Sequence, residues 1–254
     1  MQDLSGKTVL VTGASKGIGA AIAAAIGRSG GSVVAAYNSD RAGAEQATAA
    51  IPSERKQLLG VDLSQPGSGR MLWDEAVALR PRIDVLVCNA AVMLDSPLDA
   101  SDEEWDESWR RTLAINVLEP ANLMRSAARH FVANGSGVLI VLSSWSAQRG
   151  SGNPDLAAYG ASKAAVKSMA QTLARAHARD GVLVYIIAPG IVRTQMSEVS
   201  AQRLGGEEAV TATLAMGEWV PPDEIGELTA FLASGAAKHL SGATLDVNGA
   251  TYIR

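Results

Sequence analysis

Short apolar runs alternate along the chain with longer, Ala-rich stretches whose apolar residues recur at helical spacing. The short runs read as strands over 7–12, 32–37, 57–61, 83–88, 137–143, 182–187 and 244–247. Several are apolar at every position instead of every second one, the pattern of parallel strands covered on both faces. Helices are predicted over 18–29, 41–50, 67–79, 102–133, 157–179 and 223–234, with Leu113, Val117, Met124 and Ala128 illustrating the period. The 102–133 stretch reads as two helices, Pro120 opening or kinking the second. The run Asp102-Glu103-Glu104 suits a first turn, where carboxylates meet free N–H groups.

Strand–helix alternation at this pitch implies crossover connections and a doubly wound α/β fold. The prediction is a mostly parallel, seven-stranded Rossmann sheet with helices on both faces, one domain over 1–254. Only 191–221 falls outside the pattern. It holds Gly205-Gly206 and Pro221-Pro222 with a helix-like run between, and it leaves the carboxyl edge of the sheet, where a lid would sit.

Bulk properties narrow the function classes. A chain of 254 residues that is 47% hydrophobic can build one large core without disulfides. Its single cysteine, Cys88, has no internal partner, and residues 1–7 run into a strand instead of a leader, so a reducing cytoplasm is expected. No apolar run approaches the ~20 residues of a membrane span. The net charge is −4 and basic residues are scattered, which argues against nucleic acid. His130, His177 and His239 stand apart from any Cys/His/Asp cluster, so no metal site is expected.

Residues 12–19 read TGASKGIG, directly after the first strand and before the first helix. Gly13 permits a sharp turn, Gly17 removes a side chain where pyrophosphate would approach, and Gly19 allows close helix–sheet packing. Phosphates would then face the helix N-terminus. The spacing is GxxxGxG, and no GK[ST] follows, which disfavours a nucleoside-triphosphate loop. Ser15, Lys16 and Ile18 complete the turn. The second strand ends in Tyr37, followed by Asn38 and Ser39, with Lys16 and Arg41 nearby. An acid at that strand end would hold ribose hydroxyls and repel a 2′-phosphate. Neutral donors and two cations favour NADP(H), with NAD(H) as the alternative. Asp40 argues the other way unless it caps the next helix. Asp62 and Leu63, after the third strand, are placed for the adenine.

Tyr159 and Lys163 are four apart in a helical stretch, hence on one face. A lysine ammonium there would lower the phenol's pKa and favour proton transfer near neutral pH. The helix follows a strand ending in Ser143 and Ser144, where a hydroxyl can hold a carbonyl oxygen beside the phenol.

Together these features resemble the short-chain dehydrogenase/reductase family over nearly the whole chain. The resemblance rests on TGASKGIG at 12–19, Asp62, CNAA at 88–91, Asn116, the pair at 143–144, YGASK at 159–163 and PGIVRT at 189–194. It implies that Tyr159 is the general acid/base, that Lys163 tunes it and holds the nicotinamide ribose, and that Ser144 polarises the substrate carbonyl. Asn116 would anchor a water-linked proton relay through a helix irregularity. Asn89, Ala90, Pro189, Gly190, Ile191, Val192 and Thr194 would contact the dinucleotide. A homotetramer is the family expectation. Ser146 better fits the family's usual serine-to-tyrosine spacing. Ser144 is preferred because it ends the strand, the excess becoming an insertion in the 150–156 loop.

The chain departs from the family pattern at Cys88, Ala91, Ala176 and Tyr185, none of them a catalytic group. A regulatory protein that binds dinucleotide without turnover would be favoured by loss of Tyr159 or Lys163, and both are present. The substrate is expected to be a small ketone or secondary alcohol. Asp180 stands where carrier-protein reductases commonly place an arginine, which weakens a 3-oxoacyl-carrier-protein reading; a sugar or polyol remains an alternative. Trp145 is the foremost candidate for substrate contact, with Met93, Met196, Leu204 and Trp219 lining the cleft. A hydroxyl-rich substrate would want Gln148, Arg149 or Asn153.

Overall fold

The computed structural model describes residues 2–254. Its strands are β1 (Thr8–Thr12), β2 (Ser32–Tyr37), β3 (Lys56–Gly60), β4 (Val85–Cys88), β5 (Gly137–Leu142), β6 (Val182–Pro189) and β7 (Thr244–Val247). The helices are α1 (Gly17–Arg28), α2 (Arg41–Ala47), α3 (Ser68–Leu79), α4 (Asp102–Leu113), α5 (Glu119–Ala133), α6 (Ser146–Arg149), α7 (Ala157–His177), α8 (Gln195–Arg203), α9 (Glu207–Thr211) and α10 (Pro222–Ala233). All strands pair in parallel in the order β3-β2-β1-β4-β5-β6-β7.

The all-apolar strands are explained by two cores. Val9 and Val11 of β1 join Ile22 and Ile26 of α1 and Ile225 of α10 on one face. Leu10, between them in sequence, joins Leu72 of α3 and Leu123 and Phe131 of α5 on the other. Each such buried side chain contributes roughly 1.5–3 kcal/mol, so both faces hold the sheet.

Element ends shift for local reasons. β4 starts at Val85, not 83, because the Asp84 carboxylate accepts the Thr8 N–H at 2.9 Å while the Asp84 N–H reaches the Thr8 carbonyl at 2.9 Å. α2 stops at Ala47, where the Thr48 hydroxyl donates to the Ala44 carbonyl at 2.8 Å. β6 runs on to Pro189 because β7 pairs with it as far as Pro189↔Val247. The 102–133 stretch divides at a π-helical segment, Ala114–Leu118, and Pro120 lies in the first turn of α5.

The order of strands reverses between β1 and β4. The loops leaving their carboxyl ends part there and open a crevice, the usual ligand position in such sheets. The excursion after β6 carries α8 and α9 on a small core of its own, made of Ala201, Val210, Leu214 and Trp219.

Candidate active site

The crevice is a cleft of about 630 Å³ that runs from the Gly-rich turn, past the ends of β2 and β3, to Ser144 and Tyr159. Its floor is fixed by Thr12. The Thr12 hydroxyl accepts from the Asn89 and Ala90 N–H groups, both at 3.0 Å, and the Asn89 amide donates to the Thr12 carbonyl at 2.9 Å. The turns after β1 and β4 are thus one hydrogen-bonded unit.

The turn fits a dinucleotide pyrophosphate. Gly13 and Gly17 have φ of +67° and +55°, which L side chains rarely adopt. A Cβ on Gly19 would stand 2.0 Å from the Gly13 carbonyl oxygen, so the helix is packed directly on the turn. Lys16, the N-cap of α1, makes no side-chain capping bond, and the first turn holds no acid. The helix therefore presents uncapped N–H groups to an anion. Lys16 Nζ donates to Gln195 Oε1 of α8 at 3.0 Å, which ties the turn to the excursion.

At the end of β2, Tyr37, Asn38 and Ser39 line the cleft. Asp40 also lines the cleft, and its carboxylate is engaged as the N-cap of α2, accepting the Gly43 N–H at 2.8 Å. Arg41 pairs with Glu45 at 2.8 Å and lies near the Tyr37 hydroxyl, outside the cleft lining. Lys16 is the cation that lines the cleft at this end. Asp62 and Leu63 line it across from the turn. The Asp62 carboxylate is held below its ordinary range by hydrogen bonds from Ser64 and Gln65.

Tyr159 and Lys163 enter from the first turns of α7, and Ser144 from the end of β5. Lys163 is buried and donates through Nζ to the Leu142 carbonyl at 2.8 Å. Its Nζ stands 5.8 Å from the centre of the Tyr159 ring. Burial brings the ammonium down to about 8. Cys88 is itself pushed up to about 12 by burial, so it stays a thiol. The Tyr159 phenol is enclosed by the surrounding elements. Burial raises its pKa, and a hydrogen bond with Ser144 only partly offsets the rise.

Ser144 lines the cleft; Ser146 does not. Ser146 stands behind, donating to Ser144 Oγ from its N–H at 3.2 Å and its hydroxyl at 2.9 Å. A hydroxyl has two lone pairs and one hydrogen. With both lone pairs of Ser144 engaged, its hydrogen is directed to the phenol or to an oxygen bound beside it.

Asn116 lies in the π segment and is buried behind the cleft. Its side chain accepts the Val92 N–H at 2.8 Å, and donates to the Val92 carbonyl at 2.8 Å and to the Ser162 hydroxyl at 3.0 Å. Ser162 in turn donates to the Tyr159 carbonyl at 2.7 Å. Asn116 therefore joins the loop after β4 to α7.

At and beyond the end of β6, Pro189, Gly190, Val192 and Thr194 line the cleft, and Ile191 packs against the small core of the excursion. Three residues expected on the substrate side stand outside the cleft lining. Trp145 also packs against that small core, under the Arg149 guanidinium at 5.1 Å, instead of lining the cleft. Trp219 is buried within the same core, its indole N–H donating to Thr211 at 2.8 Å. Leu204 follows the end of α8 and points to solvent. Met93 and Met196 do line the cleft, and so do Leu94, Asp95, Val199, Ser200 and Arg203, which sequence reading missed. The signal was present on α8: positions 196, 199, 200 and 203 form one helical stripe.

Among the described residues no three His, Cys, Asp or Glu side chains converge as metal ligands. No helix is long and apolar enough to cross a membrane.

Comparison with known proteins gives the same picture. The family model described as enoyl-(acyl carrier protein) reductase matches residues 13–250. The chain is similar to 3beta-hydroxysteroid dehydrogenase 1 of Eggerthella lenta, 36% identical over 97% of this chain and 94% of that one. It is similar to glucose 1-dehydrogenase 2 of Bacillus subtilis, 32% identical over 98% and 95%. Among solved structures it superimposes on a 3-oxoacyl (acyl-carrier-protein) reductase of Agrobacterium tumefaciens with NADP bound, at a TM-score of 0.86, 31% identity and coverage of 97% and 95%.

Proposed function

This chain belongs to the short-chain dehydrogenase/reductase family, and we propose that it interconverts a ketone and a secondary alcohol with NADP(H), using Tyr159 as general acid/base. The observation that carries this reading is the convergence of Ser144, Tyr159 and Lys163 at the end of a cleft whose other end is an uncapped, Gly-rich helix start.

When bound, NADP(H) supplies or accepts the hydride. The Gly13–Gly19 turn, with Ser15, Lys16 and Ile18, holds the pyrophosphate. Tyr37, Asn38 and Ser39 take the adenosine 2′-phosphate, and Asp62 and Leu63 the adenine. Asn89, Ala90, Pro189, Gly190, Val192 and Thr194 flank the nicotinamide half. In the reductive direction the raised pKa keeps the Tyr159 phenol protonated at neutral pH, ready to donate to the carbonyl oxygen. Ser144, supported by Ser146, donates a hydrogen bond to the oxygen as charge develops on it. Lys163 resupplies the proton and holds the ribose, and Asn116 orients the loop and helix that carry the relay.

An NADP(H) preference is supported by the neutral Tyr37, Asn38 and Ser39 at the end of β2, by Lys16 in the cleft, and by the engagement of Asp40 as the N-cap of α2. The excursion at 191–221 serves as a lid, α8 forming one side of the cleft. A homotetramer is part of this reading, and the hollow of about 590 Å³ between α5 and α7, lined by Ala128, Val132, Met169 and Leu173 together with Asn122, Arg125, Arg129 and His177, offers a face for a second copy. The lone, buried Cys88 thiol is suited to the reducing cytoplasm.

The test is consumption of reduced nicotinamide with a panel of ketones. The purified chain should oxidise NADPH in a carbonyl-dependent way, with kcat/KM for NADPH above that for NADH. A preference for NADH overturns the assignment of Tyr37, Asn38, Ser39 and Lys16.

A further inference from the structure

Resting on that reading, we infer that the substrate is a predominantly apolar ketone or secondary alcohol, not a polyol, and that Met196 and Val199 of α8 select it. The two side chains sit one turn apart on the cleft side of α8, 40% and 53% exposed. The opposite side of the helix packs through Ala201, 2% exposed, onto the small core. Helix α8 thus presents Met196 and Val199, flanked by Ser200 and the paired Arg203, to the same cleft that holds Ser144 and Tyr159. Met93 and Leu94, from the loop after β4, line the same space. Exposed apolar side chains gathered in a cleft are stabilised when an apolar ligand removes them from water.

The polar groups that a sugar would need are engaged elsewhere. Gln148 donates to Asp246 at 2.9 Å. Arg149 is held between the rings of Trp145 and Tyr252, at 5.1 and 5.7 Å. Asn153 accepts the Asp155 N–H of its own turn at 3.0 Å. None of the three lines the cleft. The charged groups at this end are Asp95 and Arg203, and they pair with each other across the mouth. That pair neutralises the mouth and leaves no free charge for an anionic substrate.

The balanced reaction is ketone plus NADPH plus a proton giving alcohol plus NADP⁺, the proton entering through Tyr159. The experiment compares reduction of decalone, a bicyclic hydrocarbon ketone, with that of xylulose, a polyhydroxylated one, by the whole protein with NADPH. The expected kcat/KM ratio is about 100-fold in favour of decalone. Val199→Asn should raise KM for decalone by about tenfold, Val199→Leu should keep it near the parental value, and Met71→Asn, at an exposed apolar site on α3, should leave it unchanged. Equal or better reduction of xylulose overturns this inference and leaves the reductase reading standing. Reduction of neither ketone by protein that binds NADPH overturns both.

Discussion

The Ser146 hydroxyl donates to Ser144 Oγ at 2.9 Å, so two serines that sequence reading set against each other work in tandem. Only Ser144 reaches the cleft. Ser144→Ala should lower kcat for carbonyl reduction by ~10²–10³, the usual cost of one lost oxyanion donor. Ser146→Ala leaves Ser144 in place with one fewer donor and should cost about tenfold or less. Steady-state kinetics of the two variants checks the order, and a larger loss at Ser146 reverses the assignment.

Lys163 trades stability for function. Its pKa falls from 10.5 in the unfolded chain to about 8 in the fold. Between those values the unfolded chain binds more protons, so the stability of the folded chain rises as pH climbs from about 8 toward 10.5. Below that window, burial of the charged ammonium costs about 3 kcal/mol. Lys163→Met removes this cost but leaves the Leu142 carbonyl without its donor, a loss of about 1 kcal/mol. The variant should therefore be inactive in carbonyl reduction yet about 2 kcal/mol more stable near pH 7. That gain should vanish as pH approaches 10.5. Denaturant unfolding across pH in the absence of dinucleotide measures it.

Gly19 and Gly152 separate a required glycine from a dispensable one. A methyl on Gly19 meets the Gly13 carbonyl oxygen at 2.0 Å, whereas one on Gly152 meets nothing within 4 Å. Gly19→Ala should cost about 1–3 kcal/mol and weaken NADPH binding as the turn and helix move apart. Gly152→Ala should fall within about 0.5 kcal/mol of the parent. Thermal unfolding and an NADPH titration of both variants give the comparison.

The fold was legible because each layer leaves its own periodicity. Val9, Leu10 and Val11 are all apolar because the first and third face one core and the second the other. The Gly-rich turn was legible because Gly13 and Gly19 have steric duties that no other residue type can perform. Side-chain destinations were not. Trp145 is one residue from Ser144 in sequence, yet its backbone N–H donates to the Pro189 carbonyl at 3.0 Å and its ring joins the small core under α8. The Asp95–Arg203 pair joins the loop after β4 to the end of α8, 108 positions apart, and no local signal announces such a contact. The pKa of Tyr159 was also out of reach, because its sign depends on how completely the surrounding elements exclude water.

The central claim is that the Tyr159 hydroxyl carries the proton, and Tyr159→Phe removes that one atom. The measurement is kcat/KM for ketone reduction with saturating NADPH, on protein whose thermal unfolding matches the parent. The predicted result is a fall of ~10²–10⁴ or more. Reduction at the parental rate would contradict the account and move the proton donor elsewhere in the cleft.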